Sequence, residues 1–208
     1  MAACTTDTPA GTTLTAVPRP TVTVGPEPTL PLARAVTPVP SPEAGAVAAS
    51  GGQTMVLHSA AFVAGGLLPA AYTCDGSAGS PPLEWMGVPA SARAFALIEQ
   101  DADTTSGGQV FTHWLLYNLP AAITRLDAGV PPRALLVNGG QQGVNGQHTI
   151  GYAAACPTKG DPPHHFSFEL YALDGYLTLE TGASTDEVRA ALPAHTVGQA
   201  TLALTVQR

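Results

Sequence analysis

The chain has 208 residues, of which 45% are apolar and only 11% are charged, so it can hold one folded domain with a sizeable core and an additional tail. Its formal net charge is −7 and its basic residues are scattered, which excludes the clustered basic surface of a protein that binds nucleic acid or anionic lipid electrostatically. No uninterrupted apolar segment approaches the roughly 18–20 residues that a transmembrane helix requires.

The first part of the chain differs in composition from the rest. Residues 5–53 consist mainly of Pro, Thr, Ala, Gly, Ser and Val, and they contain no aromatic residue. Proline has no backbone N–H and cannot donate a hydrogen bond within a helix or a sheet. A segment of this composition also buries too little apolar surface to offset the entropy of ordering it. The sequence therefore predicts a semi-extended, disordered tether over residues 1–53 and a folded domain over residues 54–208.

Cys4 precedes this tether and follows two small residues in the sequence MAAC. That pattern resembles the end of a bacterial lipobox, whose cysteine is lipidated after signal cleavage, although the charged and apolar regions of a signal peptide do not precede it. The alternative is an unmodified cysteine in a short N-terminal tail. The first interpretation predicts an exported cell-envelope lipoprotein that is anchored to the membrane through Cys4.

The remainder of the chain has the pattern of a β protein. Strands are predicted where short segments rich in aromatic and β-branched residues end at Gly, Pro, Asn or Asp, namely at residues 54–59, 83–85, 94–101, 111–118, 164–174 and 200–207. Loops rich in turn residues separate them, including residues 103–108. The sequence predicts an all-β-dominated fold, a large antiparallel β-sandwich with one or two peripheral helices.

One helix has a clear start signal. Ser184 and Glu187 form the capping-box pattern, in which each side chain satisfies the backbone N–H of the other residue. Pro193 is expected to end this helix.

Strand alternation assigns the histidines to faces of the sheet. His164 shares a face with the apolar residues Phe166, Phe168, Leu170 and Ala172, whereas His165 points to the more polar side. His113 is expected to share a face with Phe111, Leu115 and Tyr117. With Asp101 at another strand end, these histidines predict a pocket; the alternative is buried imidazoles whose hydrogen bonds are satisfied within the core.

The chemistry of Asp101, His113 and His164 leaves few options. Two histidines and a carboxylate can bind a metal, but no His-x-His or His-Glu-x-x-His pattern occurs. Neither a Gly-x-Ser-x-Gly elbow nor a glycine-rich cofactor loop is present. The remaining interpretation is a pocket without metal or cofactor, in which imidazole N–H groups bind a small anion more tightly below roughly pH 6.5.

Several motifs follow one another in a recognisable order, at residues 80–89, 101–103, 113–114, 156–166 and 195–202. Over residues 54–208 the chain resembles the phosphatidylethanolamine-binding protein family, specifically its bacterial Raf-kinase-inhibitor-like branch. The resemblance implies a large antiparallel β-sandwich with a small pocket for phosphate-type anions, such as a phospholipid head group. It implies that the ligand-binding residues are Asp101, His113, Pro157, His164 and Phe166.

The chain departs from the family pattern at the pocket. Ala102 and Thr105 stand where the family has prolines in its Asp-Pro-Asp-x-Pro motif, and Phe166 stands where many relatives have tyrosine. Asp103 is expected to fix the loop that follows it. Cys74 and Cys156 are either joined in a disulfide or are two free buried thiols.

Three functions are compatible with these features. The first is a non-enzymatic binding protein for a small anion or a phospholipid head group, displayed on a lipid-anchored tether. The second is an interaction protein that inhibits a kinase or a protease, whose partner the sequence does not identify. The third is a hydrolase that uses Asp101 with His113 and His164.

Overall fold

A computed structural model gives the fold and describes residues 54–77 and 79–208. The predicted tether over residues 1–53, with Cys4, lies outside the described residues. The elements in chain order are β1 (Val56–His58), a short 3-10 helix (Ala70–Tyr72), β2 (Leu83–Met86), β3 (Ala94–Ser106), β4 (Gln109–Pro120), β5 (Arg125–Leu126), β6 (Gln141–Gln142), β7 (His164–Leu173), α1 (Thr185–His195) and β8 (Thr196–Val206).

Five antiparallel strands form the large sheet, in the order β6-β4-β3-β7-β8. The central strand β3 is buried on both faces over Ala94–Ile98, which explains why this segment is a continuous apolar run without alternation. The edge strand β8 does alternate, and its buried residues are Ala200, Leu202, Leu204 and Val206. The apolar face predicted for this strand is therefore confirmed.

Both faces of the large sheet are covered. A second antiparallel sheet, in the order β1-β2-β5, packs on one face, where Trp85 of β2 meets Phe95 of β3 edge to face with ring centres 5.3 Å apart. On the other face, Val188 and Leu192 of α1 pack in a separate apolar cluster. The all-β-dominated antiparallel sandwich with a peripheral helix is confirmed.

The hairpin between β3 and β4 replaces a predicted loop. Gly107 and Gly108 have φ values of 60° and 83° and connect the two strands as a two-residue turn. Left-handed backbone at both positions matches the twist of the flanking strands, so the strands pair up to the turn itself. Residues 103–106 belong to β3 for this reason, and the prediction of a loop over residues 103–108 is wrong for them.

The capping box at the start of α1 is confirmed. The side chain of Ser184 accepts a hydrogen bond from the backbone N–H of Glu187, whose carboxylate accepts from the backbone N–H of Ser184 at 2.8 Å. The helix does not end before Pro193 but continues to His195. Pro193 lies in the last turn, where its missing N–H removes one hydrogen bond and the helix still closes through the Thr196 N–H.

No helix among residues 54–77 and 79–208 is long and apolar enough to span a membrane.

Candidate functional site

The candidate site lies where three neighbouring strands of the large sheet come together at one end. Backbone pairing places Asp101 of β3 opposite Phe111 of β4 on one side and opposite Phe166 of β7 on the other. His164 opens β7 and shares the face of Phe166, since the two residues are two positions apart in a strand. The sheet thereby brings Asp101 and His164 into direct contact.

A β-bulge in β4 determines the direction of His113. Trp114 pairs with Glu99 of β3, and Thr112 pairs with Gln100, so that His113 is an extra residue without an opposite partner in β3. One inserted residue reverses the alternation of side chains from that point along the strand.

The bulge corrects one prediction from alternation. The ring of His113 contacts Phe111 and Phe166, with ring centres 4.7 and 4.8 Å apart, on the face that carries Asp101. Leu115 and Tyr117 pack instead in the apolar cluster around α1, on the opposite face of the sheet. The prediction that His113 shares a face with Leu115 and Tyr117 is wrong because the bulge lies between them.

Asp101 accepts three hydrogen bonds through its side chain, and only 3% of the residue surface is exposed to solvent. One carboxylate oxygen accepts the backbone N–H of Asp103 at 2.9 Å, and the other accepts the hydroxyl of Thr104 at 2.6 Å and Nδ1–H of His164 at 2.8 Å. These bonds to residues 103 and 104 fix the irregular stretch of β3 that follows Asp101, although it contains no proline.

His164 is oriented by this carboxylate. Because a carboxylate only accepts hydrogen bonds, Nδ1 of His164 carries the proton between the two groups. Nε2 of His164 has no hydrogen-bond partner among the described residues, so it remains available to a ligand. The adjacent His165 is largely exposed, as predicted.

His113 is fixed by a different acceptor. Its Nδ1 lies 2.7 Å from the carbonyl oxygen of Ala153, and a carbonyl can only accept, so Nδ1 donates and Nε2 is the acceptor nitrogen of the neutral ring. Burial between Phe111 and Phe166 lowers the pKa of His113, and the Ala153 carbonyl and the Asp101 carboxylate oppose this shift. His113 is therefore neutral over a wider pH range than an exposed histidine.

Both imidazoles line a small cavity with a volume of about 150 Å³. The residues that line it are Asp101, Thr104, Phe111, His113, Gln147, Ala154, Cys156, Pro157 and His164. The structure thus brings together Asp101, His113, Pro157 and His164, four of the five residues that the resemblance implied. Phe166 lies outside this lining and packs behind the ring of His113.

Sequence reasoning missed some of the lining residues. Thr104 has one local signal, a hydroxyl three residues after a carboxylate, and strand alternation predicts Phe111 only as a neighbour of His113 on the same face. Nothing in the sequence connects Gln147 with Asp101, because the loop that carries Gln147 reaches the site only through tertiary packing.

Asp103 connects the end of β3 to β7 through hydrogen bonds. Its carboxylate accepts the backbone N–H of His165 at 2.6 Å and lies 2.9 Å from Nδ1 of the same residue. The backbone hydrogen bond from His165 is the main cause of the lowered pKa of Asp103. Asp103 therefore holds the end of β3 against β7, and the segment that it was expected to fix as a loop is part of β3.

A disulfide and an ion pair support the cavity wall at Cys156 and Pro157. Cys74 and Cys156 are joined in a disulfide, with Cα atoms 5.4 Å apart. The guanidinium of Arg208 donates to both carboxylate oxygens of Asp75, at 2.8 and 2.6 Å, and to the carbonyl of Pro157 at 3.1 Å. The hydrogen bond from Arg208 lowers the pKa of Asp75 to about 2.

The charges of the site couple anion binding to protons. Asp101 is the one carboxylate in the cavity lining, and it repels an anion unless an imidazole carries a compensating proton. With both Nδ1 atoms held by protein acceptors, a neutral imidazole offers Nε2 only as an acceptor. An anion therefore forms a hydrogen bond with Nε2 only if it brings a proton, such as the hydroxyl of a monoprotonated phosphate, or if the ring is protonated.

The described ranges, 54–77 and 79–208, contain no group of three or more His, Cys, Asp or Glu side chains arranged to hold a metal ion.

Comparisons with known proteins agree with this fold. A family model described as phosphatidylethanolamine-binding protein matches residues 58–207. A UPF0098 protein from Methanothermobacter thermautotrophicus is 45% identical over 148 residues, covering 71% of this chain and 95% of that protein.

Solved structures give the same result. The crystal structure of Escherichia coli YbcL, described as a member of the mammalian PEBP family, is 30% identical with a TM-score of 0.68 and covers 74% of this chain and 98% of YbcL. The homologue CT736 from Chlamydia trachomatis is 33% identical with a TM-score of 0.67, covering 75% of this chain and 99% of CT736.

The fold and the site define a β-sandwich protein with a small polar pocket at one end of its large sheet. The chain belongs to the phosphatidylethanolamine-binding protein family, and the predicted family membership is confirmed. The fold of this family supports a role as a binding protein.

Proposed function

We propose that the chain is a non-enzymatic binding protein whose pocket takes a small phosphate-type anion, such as a phospholipid head group. The observation that carries this proposal is the pair of imidazoles on one small cavity. Each has its Nδ1 held by a protein acceptor, at 2.8 Å in His164 and 2.7 Å in His113. A volume of about 150 Å³ is smaller than the sites of drug-sized ligands, which begin at roughly 300 Å³, and suits a head group.

The charge of the site determines the pH dependence of binding. The phosphate needs a donor at Nε2 of His164 or His113, and these rings become donors at Nε2 only on protonation. Because burial lowers the pKa of His113, its contribution appears only at acidic pH unless the anion itself brings the proton. Binding is therefore expected to take up protons and to weaken as pH rises from about 5.5 to about 8.

The test is calorimetric titration of the full chain with inorganic phosphate and with phosphoethanolamine at pH 5.5 and pH 8. Repeating each titration in two buffers of different ionisation enthalpy gives the number of protons taken up. Tighter binding of phosphoethanolamine than of phosphate would identify a head-group ligand, and equal binding would identify a general anion pocket.

Two variants and one matched control locate the binding. His113→Ala and His164→Ala should abolish binding at pH 5.5, whereas His165→Ala should leave it unchanged, since His165 is exposed and does not line the cavity. Thermal unfolding checks that each variant is folded. If the folded wild-type chain binds neither anion at either pH, the proposal fails and interaction through the protein surface becomes the leading hypothesis.

The second part of the proposal concerns location. We propose that the chain is an exported lipoprotein, with the binding domain displayed on the tether of residues 1–53 and anchored through Cys4. The small-small-Cys pattern in MAAC and the proline-rich composition that follows it support this.

Labelling with a radioactive fatty acid tests the anchor, using the gene with its natural upstream sequence in a bacterial host. The wild-type chain should incorporate the label and partition into detergent, and Cys4→Ser should do neither. Equal labelling of both proteins, or of neither, would exclude lipidation at Cys4.

A further inference from the structure

We propose a second ligand site, separate from the pocket of Asp101, His113 and His164, in a cavity lined by residues within 122–138. This site binds a single-chain amphiphile with an apolar chain and an acidic head, such as a fatty acid. This hollow, called here the loop cavity, has a volume of about 490 Å³. That volume lies within the roughly 300–1,000 Å³ of small-molecule sites. The anion pocket, at about 150 Å³, is much smaller.

The loop cavity is remote from the anion pocket. Phe111 lines the pocket near the start of β4, and Pro120 ends this strand at its other side. At about 3.3 Å per residue, the two positions are roughly 30 Å apart. The N–H of Ile123, in the cavity wall, donates to the carbonyl of Pro120 at 2.9 Å. The two sites therefore lie at opposite ends of the large sheet and can be tested separately.

The floor of the loop cavity is apolar and continuous with the core. Leu126 and Leu136 belong to the core between the two sheets, and Ile123 and Val130 pack against it while facing the cavity. Val137, also in the lining, is fully exposed. An alkyl chain that covered these side chains would gain the free energy of removing apolar surface from water.

The rim of the cavity favours an acidic head. Its charged residues are Arg125, Arg133 and Asp127, a balance of one positive charge in a chain whose formal net charge is −7. Arg125 lies 3.8 Å from Asp127, and both side chains are mostly exposed, so this pair is weak. Arg133 has no carboxylate within the ion-pair distance among residues 54–77 and 79–208. Its guanidinium is the group that would meet the acidic head of the amphiphile.

The cavity is held open by the protein itself. The buried amide of Gln142 donates to the carbonyls of Pro131 and Arg133, both at 2.8 Å, and accepts the indole N–H of Trp114 at 2.7 Å. These bonds fix the loop from inside the sheet, so the cavity needs little reorganisation to receive a ligand. Preorganisation of this kind lowers the free energy spent on ordering the site.

The test is calorimetric titration of the full chain with dodecanoate below its micellar concentration. One equivalent should bind, and decanoate should bind more weakly, by up to about fourfold for each methylene removed. Ala128→Trp fills the cavity from an exposed lining position and should reduce dodecanoate binding at least tenfold, while phosphoethanolamine binding stays unchanged. If this variant fails to fold, Ala122→Trp replaces it, since Ala122 is also exposed and lines the cavity.

The head group is tested by charge. Arg133→Gln should weaken dodecanoate binding about two- to fivefold, the usual effect of an exposed charge pair. Arg93→Gln is the matched control, because Arg93 is exposed and lies outside the lining, and it should change nothing.

Several results would overturn the proposal. These are the absence of saturable dodecanoate binding, binding that Ala128→Trp leaves unchanged, and equal affinity for dodecyltrimethylammonium, whose head is cationic. A concentration-dependent dimer in sedimentation velocity that Ala128→Trp abolishes would assign the cavity to a second copy of the chain instead. None of these results depends on the anion pocket, so failure here and failure of the proposed function are distinguishable.

Discussion

The buried carboxyl group of Glu99 allows a direct test of how burial in the core changes a pKa and the stability of the protein. Glu99 lies in the centre of β3, paired with Trp114 of β4 and Phe168 of β7, and it is fully buried. Neither of its carboxyl oxygens has a hydrogen-bond partner among residues 54–77 and 79–208. Burial raises the pKa of Glu99 well above its ordinary value of 4.5, because the charged form is poorly solvated there.

This raised pKa makes stability depend on pH. Between pH 4.5 and the pKa of the folded state, the folded protein keeps a proton on Glu99 that the unfolded chain has lost. The folded state then binds more protons, so the free energy of unfolding falls as pH rises, by about 1.4 kcal/mol per pH unit in this interval. Over two pH units in this interval the loss is about 2.7 kcal/mol.

Two substitutions separate the charge from the unsatisfied polar atoms. Glu99→Gln cannot titrate and should remove this pH dependence, but it leaves a buried amide without partners. Glu99→Met is unbranched, of similar length and apolar, and it should in addition stabilise the protein at pH 7 by about 1–3 kcal/mol relative to Glu99→Gln.

The measurement is urea unfolding at pH 5, 6, 7 and 8 for the wild type and both variants. Glu180→Gln is the matched control, since Glu180 is exposed and should keep the wild-type pH dependence. If the difference between wild type and Glu99→Gln stays constant from pH 5 to pH 8, the pKa of Glu99 is not raised and the reasoning is refuted.

Three further predictions concern the surroundings of the cavity that Asp101, His113 and His164 line. Asp101→Ala should lower the free energy of unfolding by about 1–3 kcal/mol, because it removes the buried carboxylate that accepts three hydrogen bonds; a loss below about 0.5 kcal/mol in urea unfolding would contradict this. Reduction of the disulfide between Cys74 and Cys156 should lower stability by at most about 4.5 kcal/mol for a loop of this length, measured as the change in melting temperature with dithiothreitol, and an unchanged melting temperature of the fully reduced chain would contradict it. Since Arg208 lowers the pKa of Asp75 from 3.8 to about 2, the stability that this pair contributes should be present above pH 4 and be lost between about pH 4 and pH 2, and acid unfolding of Asp75→Asn should lack this component.

The sequence was sufficient for features that depend on local patterns. Six of the strand segments, the alternating face of β8 and the capping box at Ser184 each follow from residues that are neighbours in the chain. The pairing of Asp101 with His164 in one pocket was also within reach, because both stand at strand ends beside loops, and the motif order supplied the fold that brings those ends together.

The features that the sequence did not determine depend on contacts between distant segments. The bulge that turns His113 away from Leu115 and Tyr117 is a feature of the pairing register between β3 and β4. The sequence of β4 alone does not specify this register. The loop with Gln147 reaches the pocket by the same kind of long-range packing.

Local sequence by itself therefore determined six of the eight strands, where the helix begins and which face of β8 is apolar, since neighbouring residues settle these through propensity, capping and alternation. The two-residue strands β5 and β6 and the last residues of β3 form only through pairing with other strands. Tertiary structure alone decided the direction of His113 and the burial of Glu99 without a hydrogen-bond partner. The physical reason is that register and burial depend on all the paired strands together, so that the sequence of one strand does not specify how it pairs with its neighbours.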